Sequence, residues 1–220
     1  MDFTKIENRR INKMTQRKEK NPLQVIRLDG RNVFLEVMNA FQIGKVQINF
    51  IEYDAKQEKN SRIKNEIRTF IDFDKFLVLI NDVKSGRMSA LAKKAREEQA
   101  KGGYKFCKEI YADMGGISAR NLEQRGQARP DGKSMSRQFK ITPGDKMPWI
   151  LSGETGAGIE DDKGLIVPQG RPEITVRVPL SDDDFKKLAL VVEMHMQAYL
   201  SSFYVQLAQQ EKDKEKQTQK

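Results

Sequence analysis

The stretch Glu173-Ile174-Thr175-Val176-Arg177-Val178-Pro179-Leu180, followed by Ser181-Asp182-Asp183-Asp184-Phe185-Lys186-Lys187-Leu188, decides how this chain is read. Its first eight residues alternate. Ile174, Val176, Val178 and Leu180 share one face, and Thr175 and Arg177 share the other, as a half-buried strand requires. Ser181 then offers an N-cap, and three aspartates fall in the first turn, where a helix dipole favours negative charge. Beyond it Phe185, Ala189, Val192, Met196, Tyr199 and Phe203 recur at spacings of four and three, with Leu188, His195, Leu200 and Leu207 beside them. That is the apolar stripe of a long helix, read to about Gln209.

The same plan occurs earlier. Glu66 to Phe73 alternates and runs into a helical stripe of Phe73, Phe76, Leu77, Ile80 and Val83, with Asp72 or Asp74 as the cap and Gly86 as the stop. Upstream, Leu23 to Leu28 alternates, Asp29-Gly30 signals a hairpin, and Val33, Leu35 and Val37 begin a second strand broken at Ile43-Gly44. Lys45 to Asp54 is a third strand, and the residues from Arg62 to Asp72 are a fourth. Met88 to Ala100 is a short, basic, Ala-rich helix. The second half reads as strands at Tyr104–Ala112, Arg137–Ile141, Trp149–Ser152 and Glu173–Leu180, with loops at Gly115–Ser134 and Gly153–Gly170. The expectation is an α+β chain of two fused β-β-β-β-α units, antiparallel sheets with packed helices, arranged as a pseudo-dimer. The divisions are a basic flexible arm at 1–21, a first unit at 22–101, a second at 102–208 and a polar tail at 209–220.

These two junctions, Gly170-Arg171-Pro172-Glu173-Ile174 through Leu188 and, more loosely, Lys45 to Leu77, resemble the positive-cofactor-four-like transcriptional coactivators and the Whirly proteins. That family joins a Gly/Lys/Pro-rich turn, a last strand, a polar cap and a helix bearing an aromatic and a Leu. Whirly proteins carry two such units in one chain. The resemblance implies single-stranded DNA binding on the sheet face and packing through the helices. The two long loops and the basic arm depart from the family pattern.

Charge points the same way. The 220 residues carry 40 Lys and Arg against 31 Asp and Glu, a net charge of +9. The excess is segregated into residues 1–20, 84–108 and 117–140, while acids gather at Glu154–Asp162 and Asp182–Asp184. Segregated positive charge is the footprint of a polyanion binder. On the sheet face opposite the helices the alternation places Gln47, Asn49, Tyr53, Arg62, Lys64, Arg68 and Phe70, with Lys45 at the start of the third strand. In the second half Lys105, Lys108, Arg137, Lys140 and Arg177 are the counterparts. Cations track phosphates and aromatic faces stack on unpaired bases with little regard to sequence.

Other chemistries find little support. One His and one Cys build neither a catalytic triad nor a multi-cysteine zinc site, so the reading is non-enzymatic, without cofactor or metal. His195 and Cys107 are read as packing residues. Gly153 to Gly158 lacks the Lys-Ser or Lys-Thr of a phosphate loop, and Asp161 and Asp162 follow it. No run of about 18 apolar residues spans a membrane, and an intracellular, cytoplasmic location is expected. Two alternatives stay open: RNA on the same surface, or an adaptor that binds a protein partner, or a second copy of the chain, through the long last helix.

Overall fold

The computed structural model describes residues 21–58 and 60–218. The basic arm lies outside the described residues, except for Asn21. The architecture is α+β, with two antiparallel sheets of four and five strands and helices packed on them.

The first sheet is a meander of β1 (Gln24–Asp29), β2 (Val33–Ala40), β3 (Lys45–Tyr53) and β4 (Ile63–Asp72). The Asp29-Gly30 turn closes β1 onto β2, with the Gly30 amide donating to the Val33 carbonyl at 2.8 Å. A 3-10 turn at Phe41–Ile43 ends β2, and Gly44 leaves it at a φ of 66°, a left-handed conformation that suits a residue without Cβ. Helix α1 (Phe73–Lys84) follows β4 directly, and α2 (Arg87–Gly102) follows α1. Asp72 occupies the N-cap position of α1 but does not cap it; its carboxylate bonds the Lys45 and Lys75 ammoniums instead.

The second sheet joins β5 (Tyr111–Ile117), β6 (Ser134–Pro143) and β7 (Trp149–Glu160). Strand β9 (Ile174–Leu180) pairs β7 from Trp149 to Thr155, and the three-residue β8 (Ile166–Pro168) pairs its far end. A short helix α3 (Ala119–Gln124) lies between β5 and β6. Helix α4 runs from Asp182 to Thr218, nine residues beyond the end read from the sequence. Ser181 caps it as anticipated, its Oγ accepting from the Asp184 amide at 3.1 Å.

Three sequence assignments change. The first strand of the second half is Tyr111–Ile117, so Lys105 and Lys108 sit in the segment between α2 and β5 and on no strand. Gly115 to Ser134 holds the end of β5 and α3 as well as loop. Gly153 to Glu160 is the second half of β7, paired with β6 as far as Gly158 and with β8 from Gly158 to Glu160, and no hairpin tip.

The sheets pack face to face around one continuous core. Leu35, Phe50 and Ile67 lie side by side across β2, β3 and β4, as Phe139, Gly153 and Val176 do across β6, β7 and β9. The rings of Phe50 and Phe139 meet at 6.0 Å. Gly153 makes this approach possible, because a Cβ there would stand 2.5 Å from Phe50 Cδ2. Helices α1 and α4 pack on each other and complete the core with Phe76, Ile80, Phe185, Leu188 and Val192. Leu77, assigned to the inner stripe, is instead 40% exposed, and Leu79 takes its place in the core. The middle of α4 is fixed by Phe41, Phe73 and Tyr199, whose rings lie 5.1 to 6.2 Å apart, and by Lys84 on Glu193 at 2.8 Å.

Candidate nucleic-acid interface

With the inner faces packed together, the outer face of each sheet is what the strands present. On the first sheet the register sets Glu36, Asn49 and Arg68 in one row and Met38, Gln47 and Phe70 in the next. The ring of Phe70 is 39% exposed. Tyr53 is half-buried, its ring 5.8 Å from that of Phe34, while the Arg27 guanidinium stacks over Phe34 at 3.5 Å. Asn49, assigned to the exposed face, lies on it but is buried: its amide donates to Glu36 at 3.2 Å and its carbonyl accepts from Gln47 at 2.7 Å. The cations here are largely matched by acids. Arg68 pairs with Glu66 at 2.7 Å, Lys64 with Glu52 at 3.1 Å, and Lys45 with Asp72. Arg62 precedes β4 and donates its Nε to the Gln57 carbonyl at 2.9 Å.

The outer face of the second sheet is polar at its centre, with Ala112 and Met114 beside it on β5 and Ile150 between Thr142 and Pro179 at one end. Lys140 and Arg177 flank Ser152 on either side, and Lys140 donates to Glu154 at 2.7 Å. Ser136, Gln138, Ser152 and Glu154 have little exposure. Lys105 and Lys108 are exposed and lie over the rings of Phe106 and Tyr104, respectively, which are themselves exposed.

Arg137 does not share that face. It stands two residues before Phe139 on β6 and therefore points with it to the inner side, beyond the edge of the sandwich where β4 and β5 run near each other. There it lines a cleft of about 590 Å³ together with Lys45, Phe70, Met114, Gly115 and Arg125. Asp72, Lys75 and Asp113 cross one side of this cleft as a chain of ion pairs that includes Lys45. Bonding to Asp113 first, and then to Asp72, holds the Lys75 ammonium above its ordinary range. Burial, then repulsion from Arg68 and Arg125, pushes the Arg137 guanidinium below its ordinary range, far above neutral pH though that range lies. Its polar side-chain contact is Met135 Sδ at 3.7 Å; among the described residues no carboxylate pairs with it.

The structure thus gathers Gln47, Asn49, Tyr53, Lys64, Arg68 and Phe70 on one surface, Lys140 and Arg177 on a second, and Lys45, Phe70 and Arg137 around the cleft between them. Met114, Gly115 and Arg125 went unassigned in the sequence because Gly115-Gly116 reads as a loop. The six cations between Gly115 and Lys140 were the available signal. Compared with protein-family models and with curated proteins, the chain matches none.

Proposed function

We propose that this chain is a non-enzymatic, weakly sequence-selective binder of single-stranded nucleic acid, and of single-stranded DNA in particular. The observation that carries the reading is the exposed Phe70 ring at the mouth of a cleft whose Arg125 and Arg137 lack acidic partners among the described residues. Stacking on an exposed ring supplies affinity for any unpaired base, and unpaired guanidiniums supply contacts to phosphate. Further support comes from the net charge of +9 and from the four-stranded meander of the first half, which runs directly into a helix. In that half the order is in keeping with the resemblance to the positive-cofactor-four-like and Whirly proteins; the second half departs from it, with α3 between β5 and β6 and both β8 and β9 on β7. On this reading the two halves are fused units standing as a pseudo-dimer. Such a protein acts in replication, transfer, recombination or transcription inside the cell. RNA is the alternative ligand on the same surface.

The test is fluorescence anisotropy of labelled oligo(dT), duplex DNA and RNA at about 50 and 200 mM salt, the range over which phosphate contacts show. Oligo(dT) should bind more tightly than duplex and weaken with salt. Phe70→Ala should weaken it about 5- to 140-fold, the range of one lost base stack, and Tyr53→Ala less, because its ring already leans on Phe34. No binding at low salt would overturn the reading.

A second reading rests on a separate observation. Residues 201–215 of α4 are all exposed, Phe203, Tyr204, Val205 and Leu207 among them. An adaptor that docks a protein, or a second copy of the chain, on this helix would use that surface. Its mark would be association that survives loss of the arginine cleft and is lost when 201–218 is removed.

A further inference from the structure

The geometry points to a phosphate-monoester seat in the β4–β5 cleft, formed by Arg137 with Arg125, that holds the phosphorylated end of a strand with its terminal base against Phe70. This rests on the single-strand reading and deepens it.

Three features of the cleft combine. The first is charge. Lys45, Asp72, Lys75 and Asp113 neutralise one another in a chain of ion pairs, and Arg68 is balanced by Glu66. Arg125 and Arg137 line the cleft and make no ion pair among the described residues, so two positive charges remain there without a paired carboxylate. A phosphate monoester carries between one and a half and about two negative charges near neutral pH, against one for an internal diester. The second is room. Gly115 lies directly across from Arg137 in the β5–β6 register, and the position a Cβ would take there meets nothing within 4 Å. The guanidinium therefore borders free space, and its planar fork suits two phosphate oxygens. The third is an apolar neighbour. Phe70 and Met114, 39% and 41% exposed, line the same cleft. The cleft volume is within the range of small-ligand sites and admits one nucleotide.

The experiment compares labelled dT12 bearing a 5′-phosphate, a 3′-phosphate or hydroxyls at both ends, with thymidine monophosphate and thymidine as competitors. Wild type should prefer one phosphorylated end by about tenfold, and the monophosphate, but not the nucleoside, should compete. That preference should vanish in Arg137→Gln and in Arg125→Gln, the latter an exposed position whose change leaves the fold alone. Gly115→Val, which removes no charge, should abolish it by filling the free space. Arg177→Gln, on the opposite face, should keep it.

Equal affinity for all three oligonucleotides, with no competition by the monophosphate, would overturn the seat and leave single-strand binding standing. Competition by the monophosphate against a fluorescent nucleotide, with no oligonucleotide bound at all, would retain the seat for a free nucleotide and overturn the single-strand reading. A preference that persists in Gly115→Val and Arg125→Gln would place the phosphate elsewhere and refute the assignment.

Discussion

Gly153→Ala tests the face-to-face packing of the two sheets at its narrowest point. The new methyl carbon would lie 2.5 Å from Phe50 Cδ2, 2.9 Å from Cγ and 3.2 Å from Cβ. Ordinary contact begins at 3.4 Å, so the sheets must part, or the ring must move, by roughly 0.9 Å. Phe50 is fully buried and braced by Phe139, so it has little freedom to yield. Overpacking of this kind costs about 1–3 kcal/mol. For a chain of this size that lowers the melting temperature by about 2–12 °C. Phe50→Leu alone costs about 1–2 kcal/mol through lost contact and a residual cavity. In the double variant the shorter side chain leaves space for the methyl group, so the combined loss should fall short of the sum by about 1 kcal/mol. Urea denaturation followed through Trp149 reads all three, since this single tryptophan is buried on the same strand. Additive losses would mean that Gly153 and Phe50 do not meet, and the sandwich would be wrong at its centre.

Three further outcomes follow from the structure. Glu154→Ala leaves the Lys140 ammonium largely buried without its carboxylate and should destabilise the chain by about 1.5–3 kcal/mol in the same urea assay; a loss under about 0.5 kcal/mol would mean the pair is solvated. Ser181→Ala removes the oxygen that accepts from the Asp184 amide, and the melting temperature should fall by an amount matching about 1 kcal/mol; no change would mean that Asp182 or water caps α4 instead. The third concerns pH. Arg129 first, then the Lys133 amide, hold the Asp131 carboxyl at about 2, and Arg129 also lowers that of Glu173. Both are depressed in the folded state, so their contribution is complete above the usual carboxylate range and is lost as pH falls through their lowered values. A carboxyl carbon titration by NMR should place Asp131 near 2; a midpoint near an ordinary 3.9 would mean that the Arg129 clamp does not form in solution.

The first sheet was legible because each of its boundaries has a local cause. Asp29-Gly30 turns β1 into β2, Gly44 adopts the left-handed backbone, and the period of two runs from Lys45 to Glu52, where the register shifts, and from Ile63 to Asp72. The second sheet was less so, because its glycines answer to distant residues. Gly153 is small to make room for Phe50, and at Gly158 a Cβ would stand 2.7 Å from Ile166. Read locally, both mark a loop; in the fold they are places where another chain segment comes close. The aromatics Tyr104 and Phe106 made an exposed segment look like a strand, which was read to Ala112, while Asp113-Met114-Gly115-Gly116-Ile117 did not. Alternation also says that a face is buried without saying by what. It assigned the outer face of the first sheet well, yet grouped Arg137 with Lys140, three residues on and therefore on the opposite side.

The free length of α4 has a hydrodynamic consequence. Residues 201–215 extend as exposed helix, which adds a rod of about 22 Å. A monomer of this shape diffuses more slowly than a sphere of its 25.3 kDa mass and elutes early from a sizing column. Elution volume alone would therefore report a pair where there is one molecule. Light scattering, which reads mass independently of shape, separates a protruding helix from one that has found a second copy of itself.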